Sequence, residues 1–288
     1  MAIAQPLNVA SAASEMTRAS RKRTVAVAGL GAVGQTVARS LDNGIPGLKL
    51  VAVSARNRDR ARGIVAGFQN DVPVVDLDRL AGMADIVVEC LPAAAFPLVA
   101  EPALKAGRTL VVISVGALLA YPHIIDMAKD FGGEIIVPTG ALLGLDAVQA
   151  AAQGTINSIR MVTRKPPAGL ASAPYLRENG IDLNGLTKPL MVFEGTAREA
   201  IKGFPANVNV AVALSLAGIG PDKTRIEIWA DPTIDRNRHT IAIDSDSARF
   251  EMSISNIPTA ENPATGRITA LSVIAALKKL SSPVRIGT

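Results

Sequence analysis

A glycine-rich turn near the start of the chain limits the possible folds more than any other feature. Residues 25–28 form a short apolar run typical of a buried strand, and Gly29, Gly31 and Gly34 follow with the spacing G-x-G-x-x-G. These glycines would permit a tight turn, bring a pyrophosphate close to the backbone and let the next helix pack on the strand. Residues 35–41 favour that helix, whose amino end would bind phosphate through free N–H groups. The order of strand, turn and helix therefore predicts a dinucleotide site, with a purely structural glycine turn as the alternative.

The composition and the order of the elements predict the fold class. Hydrophobic residues make up 49% of the 288 residues and aromatic residues only 3%, so the core must be built mainly from Ala, Val, Leu and Ile. Such a core suits a parallel sheet covered by helices. Apolar strands and helical segments alternate as far as residue 138, which predicts a Rossmann-type, doubly wound parallel sheet, an α/β fold. The predicted strands are residues 25–28, 48–54, 72–75, a run within 84–92, 109–114 and 134–138.

Beyond residue 138 the pattern changes, which predicts a second, smaller α+β domain with a mixed or antiparallel sheet. A helix is expected from residue 139 to 153, and residues 165–186, rich in proline and glycine, are expected to form a long loop. The predicted strands of this domain are residues 156–164, 225–231, 239–244 and 248–256. At the other end of the chain, residues 1–22 are expected to be a disordered extension.

Several classes of function are not expected for this chain. The net charge is only +5, and the basic residues are scattered except at residues 21–23, so no nucleic-acid partner is predicted. Cys90 is the only cysteine, which excludes disulfides within the chain and fits a cytoplasmic protein. Two histidines argue against a closed zinc site, and no metal is predicted. No apolar run reaches about 18 residues, so no membrane partner is expected.

The residues after the second predicted strand bear on the choice of cofactor. An NAD-preferring domain has an acidic residue there, about 20 residues past the glycines. This chain has Ser54, Ala55 and Arg56 instead, so no carboxylate repels a 2′-phosphate. Arg56 or Arg58 could bind that phosphate, and solvation of both arginines at the surface is the alternative. Both NAD and NADP are therefore predicted as cofactors.

Further cofactor contacts are expected at the turns that follow the strands, because ligands of doubly wound sheets bind at the carboxyl ends of the strands. Ala32 and Val33 lie within the glycine turn itself. Cys90 ends the strand within residues 84–92, and Ala117 belongs to the turn after the next strand. These four residues are predicted to line the cofactor site together with the glycines.

Two histidines and two amides are the other candidates for chemistry. His123 follows a Tyr-Pro turn and His239 enters a predicted strand, and each could be an acid or base near neutral pH or a structural or surface residue. Asn207 and Asn209 lie in an almost uncharged segment, where they could bind nicotinamide or ribose or cap a helix. The cationic segments that could bind substrate carboxylates, or simply be solvated, are residues 163–167 and 198–202.

Several motifs, most of them in the second domain, make the chain resemble the L-aspartate dehydrogenase family. The likeness covers nearly everything after residue 23, and the later motifs are far more specific than the glycine turn. Besides GLGAVG at 29–34, the motifs are SVGAL at 114–118, PTGA at 138–141, GLDA at 144–147, TRKPP at 163–167, VFEGTAREA at 192–200, FPANVNV at 204–210, LSLAGIG at 214–220 and ADP at 230–232, with Asn237 and His239.

The resemblance implies a function and several site residues. It implies reversible, NAD(P)-dependent oxidative deamination of L-aspartate to iminoaspartate, and then to oxaloacetate and ammonia, with iminoaspartate as a possible supply for NAD biosynthesis. His239 would be the catalytic acid/base, and Ala141 and Asn209 would contact NAD(P). The alternatives are a dehydrogenase or imine reductase of the same fold acting on another amino or dicarboxylic acid, and a non-catalytic NAD(P)H sensor. Turnover would separate these classes.

The resemblance also implies how the chain is organised. A terminal helix from residue 262 would pack back on the cofactor domain, so residues 23–138 with 262–288 would form the dinucleotide-binding domain. Residues 139–261 would form the α+β domain for substrate binding and dimerisation, and the protein would be a homodimer. Two departures from the family pattern bear on the substrate: Thr139 replaces an expected serine, and the loop at residues 168–188 is longer than usual.

Overall fold

The computed structural model describes residues 22–205, 208–259 and 265–287. The expected disorder of residues 1–22 falls almost wholly outside these ranges, as does Asn207. Within the described residues the chain forms a parallel sheet followed by a mixed sheet, which confirms the predicted fold class. No helix in this part of the chain is both long and apolar enough to cross a membrane.

The first unit alternates strands and helices around the parallel sheet. The elements are β1 (Arg23–Ala28), α1 (Ala32–Asp42), β2 (Leu48–Ser54), α2 (Arg58–Val65), α3 (Leu80–Met83), β3 (Ile86–Glu89), α4 (Pro97–Lys105), β4 (Thr109–Val112), α5 (Ala117–Ala120), α6 (His123–Asp130) and β5 (Glu134–Ile136). In the described residues the strand order of this sheet is β2-β1-β3-β4-β5.

The predicted strand at residues 72–75 is reduced to one parallel bridge between Val53 and Val74. Pro73 has no N–H group to extend a ladder, and the chain turns at once into a short 3-10 helix at Leu77–Arg79. Counting this bridge as the outermost strand gives the strand order of a dinucleotide-binding sheet, with the crevice between β1 and β3.

Burial explains why these segments are strands of a parallel sheet. The four residues of β3 and the four of β4 are all buried, as expected where helices cover both faces. Near the end of the chain, α11 (Arg267–Ser281) joins one of these layers. Its Ala270, Val273 and Leu277 share a core with Val37 and Leu41 of α1. The last helix therefore packs on the first unit, although residues 260–264 before it are not described.

The second unit is built on the mixed sheet. Its elements are α7 (Leu145–Ala151), β6 (Ile156–Lys165), α8 (Pro174–Glu178), β7 (Leu190–Thr196), α9 (Ala197–Gly203), α10 (Asn209–Ala217), β8 (Arg225–Ala230), β9 (Asn237–Ser245) and β10 (Arg249–Asn256). The order of the described strands is β10-β9-β6-β8-β7. β6 runs parallel to β8 and antiparallel to β9, so the sheet is mixed as predicted.

Alternation along β6 gives the mixed sheet one buried face. Ile159, Met161, Thr163 and Lys165 are buried, whereas the residues between them are more exposed. The buried apolar residues share a core with Ala211, Val212 and Leu214 of α10, whose sequence is almost free of charge. At the carboxyl end of the same face, Lys165 lines the cleft described below, and Thr163 contacts His239 of that cleft.

Two local predictions in the second unit are wrong. The helix expected from residue 139 begins only at Leu145, because Gly144 has a left-handed φ of +66° that ends the preceding turn. The loop expected at residues 165–186 contains α8 and a short 3-10 helix at Pro167–Gly169. Tyr175 of α8 packs against Phe193 and Phe204, with ring centroids 5.4 and 5.2 Å away, and this contact orders the segment.

Candidate active site

The glycine turn lines a long groove at the carboxyl edge of the parallel sheet. Gly29 has φ +96°, and a Cβ on Gly34 would lie 1.9 Å from the carbonyl oxygen of Gly29. A Cβ on Gly31 would meet nothing within 4 Å. The first and third glycines are therefore needed for packing, whereas the second leaves bare backbone at the groove.

The amino end of α1 is suited to bind the pyrophosphate of a dinucleotide. Its N-cap, Gly31, supplies no side chain to satisfy the first N–H groups, and the first turn contains no acidic residue. These N–H groups and the positive end of the helix dipole point to the groove. Ala32 and Val33, both predicted to contact the cofactor, line the same place.

The part of the groove beside the end of β2 is rich in arginine. Arg56, Arg58 and Arg60 line it beside Ser54, and no acidic residue stands at the end of β2. Asp76 and Asp78 also line this part of the groove, which the sequence did not predict. Arg58 forms an ion pair with Asp76, so Arg56 is the better placed of the two predicted arginines to meet a further anion.

A buried carboxylate orders the middle of the groove. Glu89 accepts hydrogen bonds from the backbone N–H groups of Leu91 at 2.7 Å and Ser114 at 2.9 Å, and from the Ser114 hydroxyl at 3.0 Å. Burial raises the pKa of Glu89, and these hydrogen bonds oppose that shift. Glu89 thereby joins the turns after β3 and β4. Neighbouring Cys90 lines the groove, and burial raises the pKa of its thiol well above its usual value, so it remains protonated.

A second cleft continues the groove into the space between the two sheets. Val33, Ile113, Asn209 and Thr265 line both spaces, so a molecule in the groove would extend one end into this cleft. The polar side chains and turn residues that line the cleft, among the residues described, are Thr139, Gly140, Ala141, Lys165, Asn209, Asn237, His239, Thr265 and Thr269.

His239 is held rigidly on the buried face of the mixed sheet. It lies opposite Thr163 in the antiparallel pair of β6 and β9, and its Nδ1 is 3.0 Å from the Thr163 hydroxyl. Burial, and then the charge of Lys165, lowers the pKa of His239 to about 3. The ring is therefore neutral at physiological pH. With the proton on Nδ1 donated to Thr163, Nε2 is left to accept a proton.

Asn209 connects the two units at the junction of the groove and the cleft. Its side-chain oxygen accepts a hydrogen bond of 3.0 Å from the backbone N–H of Gly116, in the turn after β4. This contact fixes the amide where it lines both spaces. Ala117, predicted to contact the cofactor, is buried beside Gly116 and is not among the described residues that line either space. The turn reaches the site through the contact of Gly116 with Asn209 instead.

The turn at residues 139–141 is held from two sides. The backbone N–H of Gly140 donates to the Ser272 hydroxyl of α11 at 3.0 Å, and the carbonyl of Ala141 accepts from Asn256 of β10 at 2.9 Å. The last helix and the mixed sheet therefore fix one wall of the cleft. Ala141 lines that wall, where the sequence predicted a cofactor contact.

The chain is similar to known proteins over most of its length. Residues 146–280 match the C-terminal domain of aspartate dehydrogenase, and residues 29–138 match the NAD-binding domain of homoserine dehydrogenase. L-aspartate dehydrogenase 3 of Bordetella bronchiseptica is 56% identical over 265 residues, which cover 92% of this chain and 97% of that protein. The chain belongs to the L-aspartate dehydrogenase family. This membership confirms the resemblance seen in the sequence.

Other members of the family agree in sequence and in fold. The L-aspartate dehydrogenase of Bradyrhizobium diazoefficiens is 55% identical over 270 residues, 94% of this chain and 96% of that protein. The crystal structure of aspartate dehydrogenase from Thermotoga maritima is 25% identical and has a TM-score of 0.68, covering 92% of this chain and 99% of that chain. The matching NAD-binding domain assigns a pyridine nucleotide to the groove.

Within this L-aspartate dehydrogenase fold, the structure separates the predicted site residues into three groups. Ala141, Asn209 and His239 line the cleft. His123 lies elsewhere, half-exposed and 3.2 Å from Glu101, and Ala117 is buried outside both spaces. The predicted residues that line the groove are Gly29, Gly31, Ala32, Val33, Gly34, Arg56, Arg58 and Cys90.

The fold brings Glu89, Thr163 and Lys165 to the site. The sequence did not single out Glu89, and it named Thr163 and Lys165 only as members of the cationic segment 163–167 that could bind substrate carboxylates. A carboxylate at the end of an apolar strand was the available signal for Glu89. Continuing the alternation of β6 by one further step would have placed Lys165 on the face of Thr163. The cationic segment at residues 198–202 lies away from the described cleft, and Arg198 is paired with Asp222.

Proposed function

We propose that the protein is an L-aspartate dehydrogenase that converts L-aspartate and NAD(P) reversibly to iminoaspartate, and by hydrolysis to oxaloacetate and ammonia. The observation that supports this best is the neutral, buried His239 in a cleft that opens onto the cofactor groove. An enzyme that removes hydride and then adds water needs such a group beside the reacting carbon. The substrate is a small molecule, since the cleft lies at the end of the groove and between the sheets.

The residues of the chain bind, orient and move protons in this reaction. When bound, the nicotinamide accepts the hydride that leaves the Cα of the substrate. The amino nitrogen then forms a double bond to Cα and releases a proton. His239 accepts a proton from water through Nε2 while the hydroxide adds to Cα, and it then returns that proton to the amino nitrogen. The C–N bond breaks, the hydroxyl proton leaves with the nitrogen as ammonium, and the carbonyl of oxaloacetate forms. Thr163 holds the imidazole in place, and Asn209 positions the nicotinamide end of the cofactor.

A substrate panel tests this function directly. Purified full-length protein is mixed with NAD or NADP and each of several amino acids and hydroxy acids, and reduced cofactor is measured by its absorbance. We expect turnover with L-aspartate, and oxidation of reduced cofactor with oxaloacetate and ammonia together. Turnover only with another amino or dicarboxylic acid would identify a different dehydrogenase of the same fold. Cofactor binding without any turnover would identify an NAD(P)H sensor and contradict the proposal.

We further propose that the groove accepts NADP as well as NAD, with Arg56 beside the 2′-phosphate. Arg56→Ala is expected to raise the KM for NADP about tenfold and to leave that for NAD nearly unchanged, because one charged hydrogen bond is lost. Arg62→Ala is the matched control, since Arg62 lies on α2, shortly after Arg56, is paired with Asp59 and is not among the described residues that line the groove. An unchanged ratio of the two KM values in Arg56→Ala would show that another group selects the cofactor.

The homodimer, the cytoplasmic location and the supply of iminoaspartate to NAD biosynthesis stay predictions. They are supported by family membership and by the sequence, and light scattering of the purified protein measures the first of them. No nucleic-acid or membrane partner is proposed.

A further inference from the structure

The cleft beside His239 contains a buried ammonium group that the reaction above does not use. Lys165, at the end of β6, is only 4% exposed, and its side chain lines the cleft. It is the only cationic side chain among the described lining residues. Burial lowers the pKa of Lys165 from 10.5 to about 8, so the charged form is retained at neutral pH in spite of its desolvation. An anion that enters this cleft would meet that charge.

The register of the mixed sheet explains why Lys165, and not the neighbouring Arg164, lines the cleft. Thr163 lies opposite His239, and Lys165 follows two residues later on the same buried face of β6. Arg164 between them points to the other face, where it lies 3.2 Å from Asp231 and stacks 4.5 Å from the centre of the Trp229 ring. The cation next to His239 is therefore selected by strand alternation.

We propose that Lys165 binds a carboxylate of the substrate and holds the reacting carbon between His239 and the nicotinamide. The inference rests on the proposed function for the identity of that substrate, L-aspartate or oxaloacetate. A dicarboxylic acid needs at least one cation or several N–H donors in a site that excludes water. Lys165 supplies the cation from a strand rather than from a flexible loop, so the position of the carboxylate is well defined.

The contact between Lys165 and the substrate carboxylate also changes the basicity of His239. The charge of Lys165 is one of the two causes that keep the pKa of His239 low. A carboxylate bound to Lys165 neutralises that charge, so the pKa of His239 rises when the substrate is present. Burial, the larger cause of the low pKa, remains, so the base becomes stronger in the substrate complex than in the free protein. Lys165 thus has two effects, one on the affinity for the substrate and one on its neighbour.

Calorimetric titration of succinate into NADH-saturated protein tests the proposed contact, because succinate carries both carboxylates but cannot react. Lys165→Met is expected to weaken succinate binding about 100-fold, the usual effect of truncating one partner of a buried charge pair. Removal of a buried charge is also expected to leave the variant folded. Lys202→Met is the matched control, because Lys202 is exposed on α9 of the same domain and does not line the cleft as described. It is expected to bind succinate like the wild type.

The pH dependence of binding provides a second measurement. Lys165 binds the carboxylate in its charged form, so affinity is complete below about pH 8 and falls as the pH rises through that value. The ionisable groups of the described cleft are Lys165 and His239, and His239 is neutral throughout this range. Arg164 and Asp231 face the opposite side of the sheet. The fall in affinity above pH 8 should be absent from Lys165→Met.

Imidazole NMR signals measure the effect on the neighbouring histidine. The chain has two histidines, and His123→Gln assigns the signals. The pKa of His239 is expected to rise when succinate binds the NADH complex, and in Lys165→Met to be raised already and insensitive to succinate.

Three outcomes would overturn the inference. They are no binding of succinate to the wild type, a Kd for succinate in Lys165→Met within twofold of the wild-type value, or a pKa of His239 that does not change when succinate binds the wild type. Turnover of L-aspartate is measured separately. If the wild type does not oxidise L-aspartate but binds succinate through Lys165, the proposed reaction is wrong and the inference stands. If it oxidises L-aspartate but binds succinate independently of Lys165, the inference is wrong and the reaction stands.

Discussion

His239→Gln is expected to lower kcat for L-aspartate oxidation about 1,000-fold, because the variant loses the group that takes a proton from water. His239 is 3% exposed and hydrogen-bonded to Thr163, and glutamine can keep a hydrogen bond there without accepting the proton. Steady-state kinetics measure the loss. The affinity for NADH, measured by its fluorescence, should be unchanged, since the glycine turn and the groove lie on the other sheet.

His123→Gln is the matched control for this prediction. His123 is half-exposed, 3.2 Å from Glu101 and outside both described spaces, so its replacement should leave kcat unchanged. If His239→Gln retains more than about a tenth of wild-type kcat with normal cofactor binding, another group activates the water. Such a result would remove His239 from the chemistry without affecting the assignment of the groove.

The low pKa of His239 also links the site to stability in acid. Between the ordinary value of 6.5 and about 3, the unfolded chain binds a proton that the folded protein does not bind. Stability therefore rises with pH across this window and is lost as the pH falls. At pH 4 the buried ring costs about 3 kcal/mol by this linkage. The urea concentration at the midpoint of unfolding is measured for His239→Gln and for the wild type at pH 4 and at pH 7. The difference between the two proteins should shift in favour of the variant at pH 4.

The dinucleotide turn is predictable from sequence because its determinants are local. An apolar strand, three spaced glycines and a helix amino end lie within twenty residues, and each acts on its immediate neighbours. The alternation of strands and helices up to β5 is predictable for the same reason. The bridge at Val74 is the exception, because Pro73 ended a ladder that the apolar pattern favoured.

The cleft is harder to predict because it is assembled from distant parts of the chain. Thr163 and His239 are 76 residues apart, and Gly116 and Asn209 are 93 residues apart. Their proximity depends on the register of the mixed sheet and on the packing of α10. No local sequence motif determines either of these. Family resemblance pointed to His239 and Asn209. Lys165 was predicted only as part of the cationic segment 163–167, and the faces of β6 show that it is the member of that segment that lines the cleft.

Order in the segment that follows β6 was missed for a related reason. Its prolines and glycines are typical of a loop, but Leu170 and Leu176 are buried. Tyr175 also packs on Phe193 of β7 and on Phe204, which directly follows α9. A helix as short as α8 is stabilised by such tertiary contacts rather than by its own sequence. Local propensity therefore gave the wrong prediction where distant partners decide the structure.

Gly34→Ala is expected to lower the melting temperature by more than about 10 °C, whereas Gly31→Ala should melt like the wild type and lose cofactor binding. A Cβ on residue 34 would lie 1.9 Å from the backbone oxygen of Gly29, and the backbone must shift to relieve the contact. Clashes of this kind belong to the rare substitutions that cost more than about 4 kcal/mol.

A Cβ on residue 31 meets no atom of the protein within 4 Å, and Gly31 has φ −75°, which alanine adopts without strain. The added methyl group would instead occupy the space through which the pyrophosphate approaches the N–H groups of α1, so the Kd for NADH should rise at least about tenfold. Thermal melting and NADH fluorescence on the two variants separate packing from binding. Normal NADH affinity in Gly31→Ala would show that the pyrophosphate does not cross the second glycine. Normal melting of Gly34→Ala would show that α1 can move away from β1 at little cost.

Because the two glycines are only three residues apart, opposite outcomes for them would show that one motif contains a folding requirement and a binding requirement that act independently.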